Sequence, residues 1–162
     1  MRSYQGVLRD LILGYKYQAQ LGYNSLLRQL LVRAFQLHLE ASTSWQCLVV
    51  PVPMHMDRLR ARGFNHSLEL ARGLKNQGLE VNPRALQRIR PTKPQFGLER
   101  RWRWRNLQGA FLADRQAVHN RQVLLVDDVY TTGATAGQCS RVLLKAGARQ
   151  VQILVLARAE QG

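Results

Sequence analysis

The chain has 162 residues, of which 46% are hydrophobic, so we expect one folded domain spanning residues 1–162 rather than a disordered chain. No apolar run approaches the roughly eighteen residues of a membrane span, and the charged, polar start does not fit a secretion signal. Two cysteines, Cys47 and Cys139, are too few for a disulfide framework or a cysteine metal site. We therefore predict a cytoplasmic protein with reduced, buried thiols and no membrane insertion.

The positive charge is large and unevenly distributed. The formal net charge is +14 and the isoelectric point is about 11.2, which predicts affinity for nucleic acid, a polyphosphorylated metabolite or an acidic partner. Residues 84–105 hold eight Arg and Lys residues against Glu99, a net charge of +7 and half of the total. This local concentration of positive charge is greater than solvation of the surface requires.

Two helices are predicted at the start of the chain. Apolar residues recur at helical spacing over residues 4–17, which indicates an amphipathic helix that Gly22 breaks. Asn24 or Ser25 is expected to cap a second helix that runs to about Glu40. We predict that these helices, within residues 1–41, pack on the rest of the domain.

Residues 47–53 are predicted to form a strand that ends in a rigid turn. Pro51 and Pro53 cannot donate hydrogen bonds to a neighbouring strand, so the strand must end where they lie. A rigid turn at the carboxyl end of a strand is a suitable platform for a ligand.

A basic segment with Arg58, Arg60 and Arg62 follows this turn and precedes a helix predicted to begin at His66 or Ser67. Guanidinium groups in this position match the oxygens of a pyrophosphate. A solvated basic loop has the same composition. The first interpretation is favoured only if another part of the chain also predicts an anion site.

The middle of the chain combines a short strand with a basic segment. Residues 86–89 are predicted to form the strand, and residues 90–98, which contain Pro and Gly, a loop. Residues 99–106 read E-R-R-W-R-W-R-N and have two interpretations. Alternating rings and charges suit single-stranded nucleic acid, but they equally suit a helix in which Trp102 packs inward and the arginines extend into solvent.

Three further segments complete the predicted layout. Residues 109–112 are expected to form a strand that turns back to the sheet, and residues 114–121 a polar turn. Residues 151–157 are predicted to form a last buried strand.

Residues 123–135, which read V-L-L-V-D-D-V-Y-T-T-G-A-T, organise the rest of the chain. Their four leading apolar residues indicate a strand buried on both faces, as in a parallel sheet covered by helices. Asp127 and Asp128 follow, and two charges at the end of a buried strand are costly unless they bind something. Small and hydroxylated residues then lead to a helix predicted over residues 136–146, which stops at Gly147.

The chemistry of this segment predicts a sugar phosphate site. Free backbone N–H groups, hydroxyls and the positive end of a helix dipole favour a phosphate dianion, and the carboxylates can accept hydrogen bonds from vicinal hydroxyls. Both halves fit a ribose 5-phosphate in the crevice at the carboxyl ends of parallel strands. The Walker and G-x-G-x-x-G patterns are absent, and a simple helix cap needs fewer polar residues.

The 123–135 segment closely resembles the phosphoribosyl pyrophosphate (PRPP) motif of type I phosphoribosyltransferases. The resemblance implies an α/β fold with a central, mainly parallel sheet flanked by helices, and a basic hood with a flexible loop. In that family the adjacent acids hold the ribose hydroxyls, so Asp127 and Asp128 are the implied catalytic residues. The implied PRPP-binding residues are Asp127, Asp128, Val129, Thr131, Thr132, Gly133, Ala134 and Thr135.

Other segments resemble the ComF and GntX branch of this family, whose members are linked to competence and DNA utilisation. They are V-P-V-P at 50–53, R-G-F-N at 62–65, R-x4-Q-x2-L at 90–98 and R-N-x2-G-A-F at 105–111. Members usually begin with a four-cysteine zinc ribbon, which this chain lacks. Either it is a short member or Met1 lies downstream of the true start, and no zinc is expected.

The resemblance implies displacement of pyrophosphate from C1 of PRPP, with Mg²⁺ held through the ligand rather than by direct protein ligation. The residues implied for the pyrophosphate and the flexible loop are Arg58, Arg60, Arg62, Arg90, Gln95 and Arg105. The acceptor is not identified. His55 and His66 are candidates for a general base by position only, with capping or packing roles favoured for both.

Two non-catalytic hypotheses stay open. One is a competence accessory protein that binds single-stranded DNA through the Arg/Trp segment and works with the DNA-uptake machinery. The other is a nucleotide-sensing regulator without chemistry. The first is tested by the salt dependence of DNA binding and the second by turnover.

Overall fold

The computed structural model describes residues 2–3, 6–17, 22–38, 46–92 and 100–159. These residues form the strands β1 Arg2–Ser3, β2 Leu48–Pro51, β3 Glu80–Val81, β4 Leu86–Arg88, β5 Phe111–Ala113, β6 Gln122–Tyr130 and β7 Gln150–Arg158. They also form the helices α1 Gly6–Tyr17, α2 Gly22–His38, α3 Met56–Arg62, α4 His66–Ala71, α5 Arg100–Leu107, α6 Arg115–Val118 and α7 Ala134–Lys145. A 3₁₀ helix, Arg72–Gln77, continues from α4. None of these described helices has the length and hydropathy needed to cross a membrane.

Five of the strands form one parallel sheet in the order β1-β7-β6-β2-β3. In its centre Leu48 of β2 pairs with Val123 of β6, which pairs in turn with Val151 of β7. The predicted α/β fold with a mainly parallel sheet flanked by helices is therefore confirmed. The short edge strand β3 was not predicted, because Glu80 and Val81 are too few to give a periodic signal.

The central strand β6 is covered on both faces. Leu124 and Val126 belong to a core cluster with α1, α2 and α4, which we call the α2 face. Val123 and Leu125 belong to a second cluster with α5, α7 and β4–β5, which we call the α7 face. Burial from two sides explains why the apolar run shows no alternation with polar residues.

The helices α1 and α2 pack on the sheet within the α2 face, as their helical periodicity predicts. Leu27, Leu31 and Phe35 of α2 are buried there. The predicted cap of α2 was wrong, because the helix begins at Gly22 and already contains Asn24. The Asn24 side-chain amide instead donates to Glu69 of α4 over 3.4 Å, and the predicted end at Glu40 lies outside the described residues.

The prediction that residues 109–112 return to the main sheet was wrong. This segment forms β5, which pairs antiparallel with β4 in a separate two-stranded ribbon. Its alternating pattern fits either partner, so the sequence pattern does not specify which strand it pairs with. Leu86 and Phe111 anchor the ribbon by packing into the α7 face.

Two segments, one given no secondary structure by the sequence and one predicted as a turn, contain short helices. His55 begins α3 by accepting a hydrogen bond at Nδ1 from the Asp57 N–H over 3.3 Å, so Arg58 lies on a helix and not in a loop. Asp114 begins α6 in the same manner by accepting from the backbone N–H groups of Gln116 and Ala117. In both segments a local side-chain cap stabilises a helix where composition alone predicts irregular chain.

The described part of the basic segment, residues 100–106, lies in the helix α5, as the second of its two interpretations predicts. The indole of Trp104 packs against Gly137 of α7: a methyl group at Gly137 would lie 2.3 Å from the ring. The predicted inward packing of Trp102 concerns a side chain outside the described residues.

Candidate functional site

The acidic pair lies within β6 and not beyond its end. The strand was predicted to end at Val126, but it continues to Tyr130, and α7 begins at Ala134 rather than at residue 136. The pairing of β6 with β7 is continuous up to Asp127 and resumes at Val129. Val126 and Val129, three residues apart, both pack on the α2 face, so regular alternation breaks at the two acids.

The two carboxylates have different surroundings. Asp127 is half-buried and accepts, through Oδ1, hydrogen bonds from the Ser67 hydroxyl at 2.9 Å and from the Asp128 N–H at 3.0 Å. Asp128 is 7% exposed. Ser67 was not predicted as a site residue, because its partner, Asp127, lies 60 positions away in the chain.

A continuous set of hydrogen bonds joins the proline turn after β2 to these acids. The Val52 N–H donates to the Val126 carbonyl oxygen over 2.9 Å. The Asn65 side chain donates to the Val52 carbonyl over 3.1 Å and accepts from the Ser67 N–H over 3.0 Å. The V-P-V-P, R-G-F-N and D-D segments therefore meet at the same edge of the sheet.

The turn between β6 and α7 has the features of an anion site. Gly133 precedes α7 with φ of 73°, a left-handed conformation that favours glycine, and no side chain caps the helix. The Thr132 hydroxyl oxygen is buried and has no hydrogen-bond partner within the described part of the chain. The buried Thr132 hydroxyl and the first-turn N–H groups of a 12-residue helix together suit a phosphate.

A cavity of about 20 Å³ joins the acids to this turn. Its lining residues are Asp127, Val129, Tyr130, Thr131, Gly133, Ala134, Thr135, Ala136 and Val155. Six of the eight residues predicted to bind PRPP are among them, and Asp128 and Thr132 are the other two. The cavity holds about one water molecule, which is less than a phosphate group occupies.

Tyr130 makes the cavity this small. A methyl group on Gly133 would lie 2.2 Å from the Tyr130 hydroxyl oxygen, so the phenol rests directly on the turn. Its ring is also covered by the guanidinium of Arg158 at 5.5 Å from the ring centroid. A phosphate can enter the turn only if the Tyr130 side chain rotates away.

The predicted pyrophosphate residues are only partly brought together. Arg58 donates to the Thr92 carbonyl over 3.4 Å, whereas Arg60 faces solvent beside Asp57. Arg90 donates to the carbonyl oxygens of Asn106 and Gln108 and so ties the start of the basic segment to the end of α5. Arg62 is the last residue of α3, Arg105 is exposed on α5, and Gln95 lies outside the described residues.

Arg88, which was not predicted as a site residue, lies beside Arg58 and donates to the Thr92 hydroxyl. Burial, and to a smaller extent the positive charges of Arg58 and Arg90, lower the pKa of its guanidinium. Arg88 was not predicted because a single arginine in a short strand has no surrounding sequence motif that marks it as a site residue.

His55, His66 and the two cysteines make structural contacts within the fold. His55 caps α3, and His66 is 2% exposed with its ring 4.8 Å from that of Phe64. Both cysteines are buried and unpaired, as predicted. Burial, and secondarily the charge of Asp127, raise the pKa of the Cys139 thiol, so it is protonated at neutral pH.

Comparison with solved structures defines the class of protein. The fold is that of type I phosphoribosyltransferases. The B. subtilis glutamine PRPP amidotransferase has a TM-score of 0.55 and 21% identity, over 83% of this chain and 26% of that one. The adenine phosphoribosyltransferase of Thermoanaerobacter pseudethanolicus has a TM-score of 0.52 and 14% identity, over 87% and 71%.

Comparison with characterised proteins defines the family. Competence protein F of Haemophilus influenzae is 33% identical over 94% of this chain and 68% of its own length. DNA utilization protein YhgH of Escherichia coli K12 is 35% identical over 96% and 69%. The chain belongs to this ComF-type family of competence and DNA utilisation proteins. A scan against protein-family models finds no match.

Proposed function

We propose that this protein binds PRPP, or a related ribose 5-phosphate, together with Mg²⁺, and acts in DNA uptake or utilisation. The observation that carries the proposal is the single cavity shared by a carboxylate and a helix start without a side-chain cap. Asp127 is placed to accept hydrogen bonds from a ribose diol. The turn from Thr131 to Gly133 is placed to donate to the 5-phosphate once Tyr130 has moved.

Several details of the turn support a phosphate rather than a neutral ligand. The buried Thr132 hydroxyl would gain a partner, and the first-turn N–H groups of α7 would face the charge of the dianion. The Ser67 and Asp128 donors hold the Asp127 carboxylate in place, so little conformational freedom remains to be lost when a diol binds.

The acids also suit a magnesium ion held largely by the ligand. Among the described residues no three His, Cys, Asp or Glu side chains come together as a metal site. Two neighbouring carboxylates suit an ion that keeps most of its waters and takes the remaining oxygens from substrate. When bound, Mg²⁺ would neutralise charge on the pyrophosphate.

In an active transferase the residues of this chain would act by position and charge. Asp127 and Asp128 would orient the ribose, and Arg58 and Arg90 would stabilise the departing pyrophosphate. The segment between β4 and β5 would close over the site and exclude water. Release of pyrophosphate on addition of an acceptor would distinguish an enzyme from a sensor.

Calorimetric titration with PRPP and Mg²⁺ tests the proposal. The wild type should bind, and Asp127→Asn with Asp128→Asn should weaken binding by about a hundredfold, because charge-assisted hydrogen bonds to the diol are lost. Asp10→Asn, an exposed position on α1 with the same change in charge, should bind as the wild type does. Absence of binding by the folded wild type would overturn the proposal.

The net charge of +14 and the exposed Arg105 on α5 favour a second candidate function, in which the protein binds single-stranded DNA. Neutralising six to ten phosphates would make the affinity fall by about a thousandfold or more between low and moderate salt. Fluorescence anisotropy of a labelled strand across a salt series measures this. A flat salt dependence would exclude the candidate.

A further inference from the structure

A second cleft has a volume of about 530 Å³ and is lined in part by α4. It is bounded by the proline turn after β2, by α3 and α4, and by β4. Its lining residues are Pro53, Met54, Met56, Leu59, Gly63, Phe64, Asn65, Leu68, Glu69, Arg72, Pro83, Leu86, Gln87 and Arg88. None of them lines the cavity at the turn, and the volume is typical of a small-molecule site.

The charged side chains in this cleft leave one cation without an anionic partner. Glu69 is the only acid among the described lining residues, and it is paired with Arg28 at 3.2 Å and with Arg72. Arg88 makes no ion pair within the described part of the chain. Its Nε atom is buried with no hydrogen-bond partner among the described residues, although its guanidinium also lies over the Phe111 ring.

An arginine in this state is a strong candidate for binding an anion. Burying a charge without a counter-charge is unfavourable, and the positive charges of Arg58 and Arg90 add to the cost. An anionic group at the Arg88 end of the cleft would relieve both penalties. Met54, Phe64 and Leu68 form an apolar part of the remaining wall, in which the Phe64 ring suits a flat, uncharged group.

We propose that this cleft is a nucleotide site, in which Arg88 binds the phosphate and the apolar wall with Phe64 takes the base. None of its lining residues belongs to the proposed PRPP turn, although Arg88 lies beside Arg58, which is proposed for the pyrophosphate. The same chemistry is presented by a free deoxynucleoside monophosphate and by the 5′ end of a single DNA strand. The experiment therefore compares both.

The test is equilibrium titration of the full chain with dAMP, dTMP and a short oligodeoxythymidylate, with and without a 5′-phosphate. The wild type should bind at least one of these ligands saturably. Arg88→Gln should weaken binding by about tenfold to a hundredfold, since a charge-assisted contact is lost, and Arg88→Lys should restore part of it. A preference for the phosphorylated oligonucleotide over the monophosphates would assign the site to DNA ends.

Matched variants separate this site from general charge and from the PRPP turn. Arg84→Gln removes the same charge at an exposed residue outside the cleft and should change the affinity less than about twofold. Asp127→Asn with Asp128→Asn should leave nucleotide binding intact. Gln87→Glu places a negative charge at an exposed position of the cleft without removing core contacts, so it tests the site even if Arg88→Gln fails to fold.

Three results would overturn the proposal. The first is no saturable binding of any of these ligands. The second is an equal loss of affinity in Arg84→Gln and Arg88→Gln. The third is a dimer, observed by analytical sedimentation, that the Met56→Asp substitution dissociates. This result would assign the cleft to binding a second copy of the chain.

Discussion

At the residue scale, the site depends on which polar groups have partners. The Ser67 hydroxyl donates to Asp127, whereas the Ser140 hydroxyl is buried and has no partner among the residues that the structure describes. The motif at residues 123–135 was sufficient to predict the acids and the turn. It did not predict Ser67, Tyr130 or Arg88 as site residues, because their roles come from contacts that no local pattern encodes.

Ser67→Ala is expected to lower the free energy of unfolding by about 1–2 kcal/mol, because a half-buried carboxylate loses one of its donors. It should also weaken PRPP binding, since Asp127 is no longer held in place. Ser140→Ala is the matched control and should not destabilise the protein, because it removes a buried hydroxyl that has no partner among the described residues. Urea denaturation followed by circular dichroism measures both. Equal effects of the two substitutions would contradict the role given to Ser67.

At the element scale, the strands and helices with a clear apolar pattern were predictable. The strands β6 and β7 follow from unbroken apolar runs, and the helices α1, α2 and α7 follow from helical periodicity. The helices α3 and α6 are too short to give a periodic signal and each begins at one capping side chain. The pairing of β5 depends on packing against the α7 face, which is a tertiary contact that local sequence does not encode.

The contact between α5 and α7 gives a prediction at this scale. Replacing a glycine by alanine inside a helix normally stabilises by about 1 kcal/mol, but a methyl group at Gly137 would clash with Trp104. We expect Gly137→Ala to destabilise the protein by about 1–3 kcal/mol, as overpacking does. Thermal unfolding and the Trp fluorescence of the folded state measure the change.

A double-mutant cycle provides the control. In a Trp104→Leu background the clash is removed, so Gly137→Ala should be neutral or stabilising. If the substitution destabilises both backgrounds equally, the Trp104 contact is not what holds α5 on α7.

At the scale of the whole molecule, the parallel sheet brings three distant segments to one edge. The proline turn after β2, the start of α4 and the acids of β6 are joined by the Val52, Asn65 and Ser67 hydrogen bonds. The acids of this edge lie in a chain with a net charge of +14, and this combination suits a ligand with a diol at one end and several phosphates at the other. The family and fold were evident from the sequence, whereas the second cleft required the tertiary structure.

A crystal structure of the protein with PRPP and Mg²⁺ is the most direct test of whether the acids of β6 and the turn before α7 bind PRPP. We expect the 5-phosphate to bind the turn at residues 131–135 and the ribose diol to bind Asp127 and Asp128. The Tyr130 ring should be rotated away from Gly133. Electron density for PRPP elsewhere on the protein, with Tyr130 still resting on Gly133, would contradict it.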